Sequence, residues 1–197
     1  MSEPLLYSPS ELIAKYLTPD SLNSYFDFLM DENQRVNLVS RETTRGSFER
    51  LVAESLLPLE WVGTGYRDLL DIGSGGGIPS IPVILALSGL KRASLIERTL
   101  KKARALRGIV QNLGLSAKVI DKNFDEYHPN HPHDLITIRL VKLDARMLEK
   151  ALVMLAPGGK IVYWSTPQFD CRKHDTVIHN FKSLEDEVSK SLTVISR

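Results

Sequence analysis

The sequence predicts an α/β fold, a doubly wound and mostly parallel sheet behind a short helical cover, and three features predict it. From Arg67 onward, short β-rich runs alternate with helical stretches, the pattern of βαβ units with helices on both faces of a sheet. A glycine cluster follows the first of these runs. Before Arg67 the apolar residues recur at helical spacing only.

The elements follow in order. Ser8-Pro9-Ser10-Glu11 reads as a capping box with proline at the first helical position, which satisfies N–H groups left open at a helix start. Leu12, Ile13, Tyr16 and Leu17 then share a face, and Thr18-Pro19 restarts the pattern with Leu22, Tyr25, Phe26, Leu29 and Met30. Phe48, Leu51, Val52, Ser55 and Leu56 form a third stripe that ends near Pro58. Strands are expected over Asp68–Ile72, Ala93–Glu97, Ala117–Asp121, Asp134–Arg139 and Lys160–Trp164, with helices over Ile78–Leu87, Thr99–Leu113 and Asp144–Leu155. Phe181–Leu184 and Leu192–Ile195 have no long helix between them, so an antiparallel hairpin is expected to close the sheet. Residues 1–62 read as a helical N-terminal extension and 63–197 as the sheet domain.

Composition narrows the class. The 197 residues carry 25 basic and 24 acidic side chains with 43% hydrophobic residues, an ordinary globule that excludes collagen, a mucin or a long acidic tail. The longest uncharged stretch, Ile72–Leu90, holds five Gly, three Ser and two Pro, which argues against a membrane span. The N-terminal MSEPLLYSPSEL has no basic leader and reads as no signal peptide. A lone cysteine, Cys171, implies no internal disulfide, and a cytoplasmic protein is expected. Seven basic residues against one acid lie between Lys91 and Arg107; a solvated helix face explains that run slightly better than an RNA surface.

In an open parallel sheet the ligand sits beyond the carboxyl ends of the strands, and the first βα turn holds it. That turn here is Asp71-Ile72-Gly73-Ser74-Gly75-Gly76-Gly77-Ile78-Pro79. A dinucleotide fingerprint requires a third glycine where Ile78 stands, so a diphosphate seat is poorly supported. The next strand ends at Glu97, where an acid accepts hydrogen bonds from both hydroxyls of a ribose. Asp71, glycines and Glu97 together describe a phosphate-free nucleoside with an amino-acid tail, S-adenosylmethionine.

The runs DIGSGGGIPSIP, LIERTLKKARAL and HDLITIRLVKL, with Asn37-Leu38-Val39-Ser40 and Glu54-Ser55 before them, resemble the RsmG (GidB) family of methyltransferases. Its members methylate N7 of a guanine in small-subunit 16S ribosomal RNA. The resemblance implies a class I (Rossmann-like) methyltransferase with S-adenosylmethionine as cofactor. It makes Asp71, Gly73, Ser74, Gly75 and Gly77 the cradle of the methionine side, Glu97 with Arg98 the ribose end, and Phe124, Asp125 and Glu126 the segment along the adenine. Arg139 matches the family's arginine beside the reacting centre, a catalytic and cofactor-contacting position. The chain departs from the family at Leu51, where a histidine is usual, at Asn123, where a basic residue is, at Ser165-Thr166, where Lys-Gly is, and at Leu140, where a small residue is.

Guanine N7 carries a lone pair and no proton, so positioning and desolvation suffice and no general base is required. Three alternatives stay open: a cofactor-binding module without methyl transfer, a methyltransferase of small molecules, and a nicotinamide-dependent oxidoreductase. His128, His131 and His133 approach metal-ligand spacing but sit among prolines without matching cysteines, so a loop is expected rather than a zinc site. The expected partner is 16S ribosomal RNA or the small ribosomal subunit, with no metal, no membrane and a monomeric chain.

Overall fold

A computed structural model describes residues 3–164, 175–185 and 188–197. Eight strands form one sheet: β1 (Leu5–Tyr7), β2 (Asp68–Ile72), β3 (Arg92–Ile96), β4 (Lys118–Ile120), β5 (His133–Ile138), β6 (Leu155–Tyr163), β7 (Asp175–Ser183) and β8 (Lys190–Ser196). The helices are α1 (Pro9–Tyr16), α2 (Pro19–Arg35), α3 (Arg45–Leu56), α4 (Leu59–Val62), α5 (Ser80–Ala86), α6 (Leu100–Asn112) and α7 (Ala145–Met154), with a 3₁₀ turn at Phe124–Glu126.

The strand order is β4-β3-β2-β5-β6-β8-β7-β1. Pairing is parallel from β4 to β6, antiparallel from β6 through β8 to β7, and parallel again between β7 and β1. This is the expected doubly wound, mostly parallel sheet with antiparallel C-terminal strands. Side chains alternate across a strand, so neighbours Leu69 and Leu70, both fully buried, enter different cores. Leu69 joins Leu29, Phe48, Val52, Leu106 and Phe181 under the helices α1–α6. Leu70 joins Ile136, Ile161, Ile195 and the α7 residues Leu148 and Leu152 on the other face.

The N-terminal helices begin as their sequence dictates. Ser8, Thr18 and Thr44 each cap a helix by accepting from the backbone N–H three residues on, and proline opens α1 and α2. Their apolar faces share the core of the sheet. One element of this part is not helical: Leu5–Tyr7 forms β1, in register with Phe181–Ser183. Three residues are too few to display an alternation, and the pairing depends on a strand at the far end of the sequence. β6 also starts earlier than Lys160, at Leu155, because an irregularity between His133 and Leu135 lets the Pro157-Gly158-Gly159 segment stay in the sheet.

No helix among the described residues is long and apolar enough to cross a membrane. Ser165, Thr166, Cys171 and His174 lie outside the described residues.

Candidate functional site

The glycine turn is built by its neighbours as much as by its own freedom. Gly73 has φ +81°, and a Cβ there would stand 2.3 Å from Val141 Cγ2, so the loop after β5 rests directly on it. The N-terminal helices close on the turn from the other side, with the buried Tyr25 hydroxyl donating to the Gly76 carbonyl at 3.0 Å. Asn33, also buried, accepts from the N–H groups of Leu38 and Val39 at 2.8 and 3.0 Å and so shapes the segment that faces the turn. Together these elements enclose a cavity of about 1070 Å³, ample for a nucleoside with an amino-acid tail and an acceptor beside it.

Four amides of the turn are engaged within the protein. Those of Gly73 and Ser74 both donate to the Ile96 carbonyl at 2.9 Å, and that of Gly77 to Ser74 at 2.7 Å. Gly75 donates to Glu97 Oε2 at 3.1 Å. A diphosphate needs such amides turned outward, whereas a phosphate-free nucleoside does not. Glu97 is 7% exposed and lines the cavity. Its other oxygen accepts from the Thr99 N–H at 2.7 Å. Each carboxylate oxygen accepts two hydrogen bonds, so one position per oxygen remains for vicinal hydroxyls. The residues present therefore fit S-adenosylmethionine.

Of the residues expected from sequence, Gly73, Ser74, Gly75, Glu97, Arg98, Phe124, Asp125 and Arg139 line this cavity. Three do not. Gly77 faces the core, where a Cβ would meet Ile81 Cδ1 at 2.4 Å, and its φ of +90° serves the turn's closure. Glu126 is exposed at the end of the 3₁₀ turn, outside the cavity wall. Asp71 lies beneath the turn at 1% exposure. Its Oδ1 accepts from the hydroxyl of Thr137, its register partner on β5, at 2.6 Å, and its carbonyl accepts from Ser74 Oγ at 3.2 Å. Asp71 thus braces the turn from below, and the pair of gripping carboxylates expected from sequence reduces to Glu97 alone.

Burial raises the Asp71 carboxyl above its ordinary value, against the Thr137 hydrogen bond that lowers it. A raised folded-state pKa means that the native protein binds this proton more tightly, so the contribution to stability is full below about pH 4 and is lost as pH rises through the folded value. Asp71→Asn keeps an acceptor for Thr137 and removes the charge. In urea unfolding from pH 4 to 7, stability of the variant relative to the native chain is expected to climb with pH; a pH-independent difference would refute the buried charge.

Arg139, at the end of β5, is the most constrained cation of the site. Its side chain is 9% exposed, Nη2 donates to Glu54 Oε2 at 2.8 Å, and the guanidinium lies 5.9 Å from the Trp164 ring. Burial lowers its pKa and the Glu54 charge opposes that shift. Glu54, on α3, is 5% exposed and also holds Lys190 of β8. In the sequence Glu54 stands out only as part of a family signature; its neighbours on the apolar stripe, Ser55 and Leu56, are the sign that it is buried.

The basic run divides by location. Arg98 and Lys102 line the cavity, Arg107 pairs with Asp121 at 2.8 Å, and Arg92 pairs with Asp68 at the opposite, N-terminal end of strands β2 and β3. Sequence reasoning also missed Arg50 and Arg146 at the cavity wall, since elements far apart in the chain supply them. Among the described residues, Asp68, His131 and His133 bring together groups able to hold a metal. The Arg92 guanidinium already occupies Asp68 Oδ2, and His133 Nδ1 lies 2.5 Å from Oδ1, too close for an ion between them.

A doubly wound sheet with this strand order, an acid closing its second parallel strand and a turn without an anion nest is the architecture of the class I methyltransferases. Solved structures share the fold: an O-methyltransferase from Bacillus cereus in complex with SAH superimposes with a TM-score of 0.64 at 18% identity, covering 95% of this chain and 96% of that one. A family model described as rRNA small subunit methyltransferase G matches residues 19–191. The chain belongs to that family and is thereby an S-adenosylmethionine-dependent methyltransferase. It is similar to Ribosomal RNA small subunit methyltransferase G of Helicobacter pylori, 29% identical over 83% of this chain and 96% of the relative, and of Paramagnetospirillum magneticum, 30% identical over 79% and 76%.

Proposed function

We propose that the chain methylates N7 of a guanine in 16S ribosomal RNA, acting as a cytoplasmic monomer. The carrying observation is the lining of the cavity, where eight basic side chains face five acidic ones although the whole chain has a net charge of only +1. Positive charge concentrated around a nucleoside-sized site suits a polyanionic acceptor.

S-adenosylmethionine, when bound, supplies an electrophilic methyl group. Glu97 would hold its ribose, the Gly73–Gly76 backbone its amino-acid side, and Phe124 with Asp125 its base. Arg139, held by Glu54, presents a fixed cation at the end of β5, suited to the O6 edge of a guanine or to a phosphate. Arg98, Lys122, Lys142 and Arg146 are exposed at the mouth and would meet the RNA backbone. N7 brings no proton to remove, so these residues orient the base and exclude water.

The test uses small ribosomal subunits from a strain lacking the protein, incubated with methyl-labelled cofactor and digested to nucleosides. Label in 7-methylguanosine of 16S RNA is the expected result. Label in another nucleoside, or none from a chain that binds S-adenosylhomocysteine, would overturn the assignment.

A further inference from the structure

We infer that Leu140 is a wedge that contacts the acceptor base at the mouth of the cavity. The inference rests on the reading of the chain as an RNA methyltransferase. Among the described residues Leu140 is the only non-glycine with positive φ, at 55°. It is also 96% exposed, the most exposed of the large hydrophobic side chains, and it lines the cavity. A leucine is doubly unsuited to this place, since its backbone is in a region that side chains with a Cβ avoid and its apolar surface stands in water.

Both neighbours enforce the conformation. Arg139 on one side is fastened to Glu54, and Val141 on the other is seated against Gly73. Strain that the surroundings over-determine collects at functional positions. Here it aims an apolar side chain outward between the cationic Arg139 and Lys142. The chemistry supplies a use for it. In a paired A-form helix N7 lies in a groove too deep and narrow for a protein to reach, so the acceptor base has to leave its stack to enter a cavity. Apolar side chains inserted at base steps hold open such a gap and replace the lost stacking contact. Lone exposed leucines are common on protein surfaces; a strained one fixed between a buried ion pair and the glycine turn is a different case.

The experiment compares the native chain with Leu140→Gly and Leu140→Met. Glycine adopts this φ freely, so Leu140→Gly is expected to unfold no earlier than the native chain and to bind S-adenosylhomocysteine with unchanged affinity in calorimetry. Its kcat/KM for methylation of unmodified small subunits is expected to fall at least roughly tenfold, and Leu140→Met to recover most of that loss. Native kcat/KM in Leu140→Gly would overturn the wedge, as would a loss confined to cofactor affinity. Failure of the native chain itself to label 16S RNA would instead remove the reading beneath it, so the two failures are told apart.

Discussion

Glu54→Ala is expected to lower stability by about 3–5 kcal/mol, because it leaves the Arg139 guanidinium buried with no compensating charge. In a chain of this size that corresponds to a fall in Tm of roughly 6–20 °C by calorimetry. Glu54 is 5% exposed and Arg139 9%, so the pair is largely withdrawn from water. Lys190, 42% exposed, keeps its hydration and adds little to the penalty. The pair is bound to function through its position, not through a net gain in stability, since a buried ion pair exchanged for apolar residues is often as stable. The double replacement Glu54→Met with Arg139→Met should therefore recover most of the lost Tm and none of the methylation of small subunits. A Glu54→Ala variant that melts with the native chain would show that water reaches Arg139.

Glu97→Ala is expected to weaken S-adenosylhomocysteine binding by about 1–3 kcal/mol, roughly five- to 150-fold in Kd, as two charge-assisted hydrogen bonds to the ribose disappear. A second effect accompanies it. The N–H groups of Gly75 and Thr99 lose their acceptors, so the glycine turn loosens where the cofactor's other end is held. Glu97→Gln separates the two contributions, because its amide oxygen still accepts from one of these N–H groups while the charge is gone. Unchanged affinity in Glu97→Ala would move the ribose elsewhere in the cavity.

The legible part of the molecule is the part whose partners are near in sequence. β2 spans Asp68–Ile72 as expected, since all five residues are buried and a central parallel strand has no exposed face to blur its limits. Glu97, Arg98, Phe124 and Arg139 come together because strand ends and the loops after them converge in any such sheet. Asp71 departs from that expectation for a reason internal to the rule. It stands one residue before the strand ends, still inside the ladder, where Thr137 on the adjoining strand bonds its Oδ1. The union of Glu54, Arg139 and Lys190 joins α3, the residue that follows β5, and β8, and no local pattern encodes it. Leu140 shows the same limit. Its identity is visible in the sequence, but its positive φ follows from what holds Arg139 and Val141.

β1 has a consequence for biogenesis. Leu5–Tyr7 pairs only with β7, from the opposite end of the chain. The pair forms only after β7 has been made, and contacts so distant in sequence form slowly. Until β1 docks, β7 is the open edge of the sheet, where an extended peptide from another chain can pair.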